Sequence, residues 1–128
     1  MLKRLVASLG VGAVVVLAVP TTATAQMMEK PEGKEMTVSG TVIDLSCKFA
    51  FNLTGEDHRM CAQVCADAGV PLAILGDDGK LYMPVSTGMP GGSENARLKP
   101  HAEHKVKVTG MVYEAGGALA IQITSVSM

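Results

Sequence analysis

The sequence predicts a mainly β fold: a small, partly open five-stranded barrel with one helix inserted between strands 1 and 2. Three observations carry that expectation. Five short runs rich in Val, Ile, Leu and Thr are separated by turns containing Gly, Pro and Asp. One helical stretch lies between the first two of these runs. The first 25 residues differ in composition from everything that follows, so the fold is built from the remainder.

Residues 1–25 read as a cleavable secretory signal peptide. Lys3 and Arg4 precede an uncharged apolar run from Leu5 to Val19. Pro20 and the small residues ending Ala23-Thr24-Ala25 then lead to Gln26. The apolar run has 15 residues, short of the roughly 20 that span a bilayer. No stable membrane insertion is therefore expected after cleavage, and the compartment implied is the periplasm or the exterior. No cysteine directly follows the run, so a lipid anchor is not indicated. Of the eleven basic residues, Lys3 and Arg4 leave with the signal; the nine that remain face twelve acidic ones, a net charge of −3. A mildly acidic domain offers no footprint for nucleic-acid phosphates and no polybasic segment for anionic lipid. With two Phe, two Tyr and no Trp, stacking platforms for bases are also scarce.

Residues 26–36 are polar and carry Pro31 and Gly33, and are expected to form a disordered tether. The domain proper is expected at 37–127. Thr37–Leu45 alternates β-branched and small residues as a strand does, with Gly40 marking a bend. Lys48–Asn52 reads as a loop. A helix is expected from Thr54, as a capping residue, to about Ala68, where Gly69 and Pro71 stop it. Pro71–Leu75 and Leu81–Val85 form a hairpin about Asp77-Asp78-Gly79-Lys80. Ser86–Pro100 reads as a long loop. His104–Glu114 and Ala118–Val126 are the closing strands, joined at Gly116-Gly117.

Two stretches carry a resemblance. Val106–Val112 followed by Ile121-Gln122-Ile123 resembles the closing hairpin of bacterial OB-fold domains. Gly40–Cys47 (G-T-V-I-D-L-S-C) with His58–Pro71 (H-R-M-C-A-Q-V-C-A-D-A-G-V-P) is similar to a group of small exported bacterial OB-fold-like proteins carrying G-x-V-x-D-x-x-C and C-A-x-x-C. The resemblance spans most of residues 37–126 and implies fold and compartment rather than an activity. A helix between strands 1 and 2, not 3 and 4, departs from the usual OB arrangement.

The candidate site is a set of four residues: Cys47, His58, Cys61 and Cys65. Positions 58, 61 and 65 fall on one stripe of a helix, and Cys47 lies just past the strand against which that helix must pack. Three thiolates and an imidazole suit tetrahedral Zn²⁺, and the same soft donors suit Cu⁺. Eight methionines after the signal add weight to copper. A second reading stays open. In an oxidising compartment Cys47 would pair with Cys61 or Cys65, closing a loop of about 15–19 residues that contributes about 3 kcal/mol and leaving one thiol over. On that reading the domain is a disulfide-stapled interaction module, and the long loop contacts an envelope protein. Thiol redox chemistry is a third reading, disfavoured because C-x-x-x-C is not the C-x-x-C of thioredoxin-like enzymes.

Weaker candidates are the H-x-E-H at His101–His104, Asp44 as a carboxylate turned toward the cysteines or a cap, and Asp77-Asp78-Gly79, which lacks the other ligands of a calcium loop. No nucleophile elbow, phosphate loop or Ser/His/Asp set is present, and no enzymatic activity is expected.

Overall fold

The computed structural model describes residues 31–128. The expectations for the signal peptide and for the first residues of the tether lie outside the described residues. Among those that are described, no helix is long and apolar enough to cross a membrane.

The first β-branched run forms β1, Lys34–Asp44. It begins three residues before the sequence suggests, because Lys34, Glu35 and Met36 pair with Val112, Met111 and Gly110. The end of the expected tether is thus strand, held by the long closing hairpin rather than by its own apolar pattern. β1 pairs antiparallel with two neighbours, β4 (Lys105–Ala115) from Lys34 to Thr41 and β2 (Leu72–Gly76) from Gly40 to Asp44. Gly40 takes part in both registers. A Cβ there would run into the backbone of Leu75 and Gly76, 2.8 Å from Gly76 Cα, so the crossover needs glycine.

The β2–β3 hairpin, with β3 at Leu81–Pro84, turns on Gly79 at φ 77°. β5, Ala118–Ser127, pairs antiparallel with β4 and parallel with β3. The strand order β1-β2-β3-β5-β4 returns to β1, so the barrel is closed, not partly open. A short parallel contact, Tyr82–Pro84 against Leu119–Ile121, makes that closure. The architecture is a five-stranded OB-like barrel. Its core comprises Val38, Val42, Leu72, Ile74, Tyr82, Leu98, Val106, Val108, Val112, Ile121 and Ile123, with Ala66 packed over it.

The connections hold more helix than expected. Between β1 and β2 there are two helices instead of one: α1 (Leu45–Phe51) and α2 (Arg59–Asp67), the latter entered through a 3₁₀ turn at Glu56–His58. Thr54 does not cap a continuous helix, because Gly55 at φ 102° breaks the path. α1 lies where a loop was expected. It is short, and its phenylalanines face out (Phe49 and Phe51, each 72% exposed), so no apolar period marks it. The helix ends at Asn52 in the left-handed region, whose N–H bonds back to Lys48 O at 3.0 Å. The Ser86–Pro100 stretch likewise contains α3, Asn95–Leu98, followed by a 3₁₀ turn at Lys99–His101.

Candidate metal centre

The site forms where β1 runs into α1 and where α2 lies across that junction. Asp44, the last residue of β1, is fully buried and caps α1: its Oδ1 accepts the Cys47 N–H at 2.9 Å. This cap fixes Cys47 in the first turn, with its thiol turned inward. α2 rests on the barrel through Ala62 and Ala66, both buried. Small side chains at that spacing let the helix approach closely, and the adjacent stripe carries Cys61 and Cys65 over Cys47.

The ligand atoms of Cys47, Cys61 and Cys65 all lie within 4.8 Å of one another, in a gradient from buried Cys47 through half-buried Cys65 to exposed Cys61. All three are free thiols. Asp44, Cys47 and His58 form a second group of the same compactness, all three buried. Cys47 belongs to both. A metal ion can be held here, and the sequence-predicted residues all take part in one or the other group.

His58 reaches the site from the 3₁₀ turn rather than from the helical stripe expected of it. Its Nδ1 lies 3.0 Å from Glu103 Oε1, while its Nε2 is buried without a hydrogen-bond partner. Glu103 lies near the end of the β3–β4 connection, in the left-handed region at φ 62°. There its backbone N–H bonds to Val42 O at 2.8 Å, and Oε2 takes the Gly55 N–H at 2.9 Å. One residue therefore ties the barrel, through its backbone, to the break before α2 and the imidazole, through its carboxylate. A histidine held this way by Nδ1 presents Nε2 as a ligand, the arrangement that orients metal-binding imidazoles.

Electrostatics keep protons on the inner thiols. Burial, and then the neighbouring Asp44 carboxylate, push the Cys47 thiol above its usual range. The Cys65 thiol is pushed up to about 12, first by hydrogen bonding to Asp44, then by burial and by the charges of Asp44 and Cys47. Asp44 Oδ2 is buried and has no nitrogen or oxygen donor. A cation bound among these groups takes the place of those protons.

The H-x-E-H stretch does not assemble as a ligand set. Glu103 turns to His58, and His104 Nε2 pairs with Glu56 Oε2 at 3.1 Å. Glu103 was visible in the sequence only as part of that stretch. Its true partner is 45 positions away, and no local spacing reports such a contact. Asp77-Asp78-Gly79 is a hairpin turn, with Asp78 accepting the Tyr82 hydroxyl at 2.6 Å.

Comparison with known proteins gives no match to a family model, a curated protein or a solved structure.

Proposed function

We propose that this domain works outside the cytoplasm, in the periplasm or secreted, as a small non-enzymatic binder of one soft metal ion. The ion is Zn²⁺ or Cu⁺, and its ligands are Cys47, His58, Cys61 and Cys65. The observation that carries the reading is the convergence of three free thiols, the innermost of which, Cys47, also lies within 4.8 Å of the imidazole of His58, whose Nε2 is buried and unpaired and whose Nδ1 is held by Glu103. Thiolate and imidazole donors are those that Zn²⁺ and Cu⁺ prefer. Four protein ligands close the shell, which suits a carrier or a structural ion better than hydrolysis, where one position must stay open. The likeness to small exported OB-fold-like proteins points to the same compartment.

Native mass spectrometry of the processed domain purified from the periplasm, with and without chelator, tests this. The expected result is a mass increment of one Zn or one Cu, lost in chelator together with the appearance of three titratable thiols. His58→Ala should weaken binding by more than about tenfold. A metal-free protein two hydrogens light would overturn the proposal and leave a disulfide-stapled interaction module in its place.

A further inference from the structure

The four-ligand reading leaves out one buried carboxylate beside the cluster. Asp44 is fully buried, and one of its oxygens is spent on the α1 cap. The other, Oδ2, has no nitrogen or oxygen donor, and no lysine or arginine among the described residues forms an ion pair with it. A carboxylate removed from water without a counter-charge is costly, and such groups are normally paired or coordinate a metal. The ligand atoms within 4.8 Å of it are those of Cys47 and His58, and His58 Nε2 is buried and unpartnered as well. The Asp44 carboxylate and the His58 imidazole, each with a buried atom that no nitrogen or oxygen partners, lie in one compact group with the Cys47 thiol and describe half of a coordination shell.

We propose that Asp44 is a further metal ligand, and that it makes the site selective for a divalent, borderline ion of the Zn²⁺ class over Cu⁺. This rests on the metal-binding reading and deepens it. The chemistry follows from donor type and charge. Cu⁺ is satisfied by soft sulfur donors and carries a single charge, so a carboxylate added to three thiolates is a hard donor it does not use and a negative charge it does not offset. Zn²⁺ accepts sulfur, nitrogen and carboxylate oxygen together and can expand beyond four ligands. The inner group Asp44–Cys47–His58 then supplies a rigid, buried seat, while Cys65 and the exposed Cys61 close it from outside.

Asp44→Asn is the informative variant, because asparagine caps a helix as well as aspartate does and so preserves the Cys47 contact. The wild-type domain and the variant are each titrated with Zn²⁺ and with Cu⁺ against competing chelators, with circular dichroism of the metal-free proteins as a control of folding. The expected result is a loss of about tenfold or more in Zn²⁺ affinity and about threefold or less for Cu⁺. Equal losses for both ions, or none for Zn²⁺, would overturn the assignment of Asp44 while leaving the metal site standing. Failure of the wild type to bind either ion would overturn the parent reading instead. X-ray absorption of the Zn²⁺-loaded wild type decides the matter without a variant. Two light-atom scatterers at about 2.0–2.2 Å beside sulfur at about 2.3 Å support an Asp44 ligand, and a single one excludes it.

Discussion

The Nδ1 of His58 lies 3.0 Å from Oε1 of Glu103, with the imidazole 7% exposed and the carboxylate side chain fully buried. This contact connects the candidate metal centre to the barrel, since Glu103 also hydrogen-bonds the amide of Gly55 and, through its own backbone, β1. Glu103→Gln keeps the shape but can no longer accept hydrogen bonds through both terminal atoms. It should weaken metal binding by about 10–100-fold, the usual effect of losing a carboxylate behind a ligating histidine. Competition against a chelator measures the loss, with thermal melting of the metal-free protein as a separate readout of structure. An affinity within about twofold of wild type would mean that Glu103 does not aim His58.

The barrel was legible in the residues because strands announce themselves locally. Val106 and Val108 are buried and alternate with exposed Lys105 and Lys107 in β4, and Gly116 and Gly117 both take positive φ at the closing turn. The cysteine cluster was legible too, since residues four apart on a helix share a stripe. What could not be read depends on distance in the chain. The Asp44 cap on Cys47 spans three residues and is guessable, whereas Glu103 with His58 and Asn95 with α2 are set by tertiary packing. Closure of the barrel belongs to the same class, since it depends on the parallel pairing of Tyr82–Pro84 with Leu119–Ile121.

The three thiols should differ in reactivity. Cys61 is exposed, while Cys47 and Cys65 are less accessible and held in the protonated form by burial and by Asp44. In the metal-free protein iodoacetamide should label Cys61 first and the other two much more slowly, because the thiolate is the nucleophile. Peptide mapping after timed quenching checks the order. Faster labelling of Cys65 than of Cys61 would contradict this account of the cluster.

Metal uptake should be pH-dependent in a defined direction. The raised Cys47 and Cys65 thiols carry protons at neutral pH, and Cys65 keeps its proton to about pH 12. A metal must displace both protons, so its apparent affinity rises with pH, by about tenfold per unit for each proton released. Chelator competition at about pH 6, 7 and 8, with proton release followed in weakly buffered solution, gives the slope. A flat profile would show that the inner thiols are not ligands.

Asn95 fastens the far end of α2. Its amide donates to Ala66 O at 3.0 Å and to Val70 O at 2.8 Å, and its oxygen accepts the Leu72 N–H at 3.0 Å. Asn95→Ala leaves three backbone groups with no side-chain partner and should destabilise the domain by about 2–3 kcal/mol. Asn95→Asp sets an acceptor against two carbonyls and should be at least as harmful. Denaturant unfolding of the metal-free protein measures both. Because α2 carries Cys61 and Cys65, metal binding should weaken in parallel and recover in part when the protein is saturated with ion.

Tyr82 and Asp78 give the barrel a stability profile of its own in pH. The buried Tyr82 hydroxyl donates to Asp78 Oδ2 at 2.6 Å. That bond is the main reason the Asp78 carboxyl sits below its usual 3.8, and it pushes the Tyr82 hydroxyl from 10.0 up to about 12. For Asp78, whose folded value is lowered, the stabilisation is present above pH 3.8 and is lost as the pH falls through the lowered value. For Tyr82, whose folded value is raised, it is complete below pH 10 and fades as the pH climbs toward 12. Tyr82→Phe keeps the packing against the core and removes the bond. It should cost about 1 kcal/mol at neutral pH, lowering the melting temperature by roughly 4–8 °C. The gap between variant and wild type should narrow at both extremes of pH. A gap of constant size from acid to alkali would mean that the hydroxyl contributes through packing alone, and that its bond to Asp78 does not stabilise the hairpin.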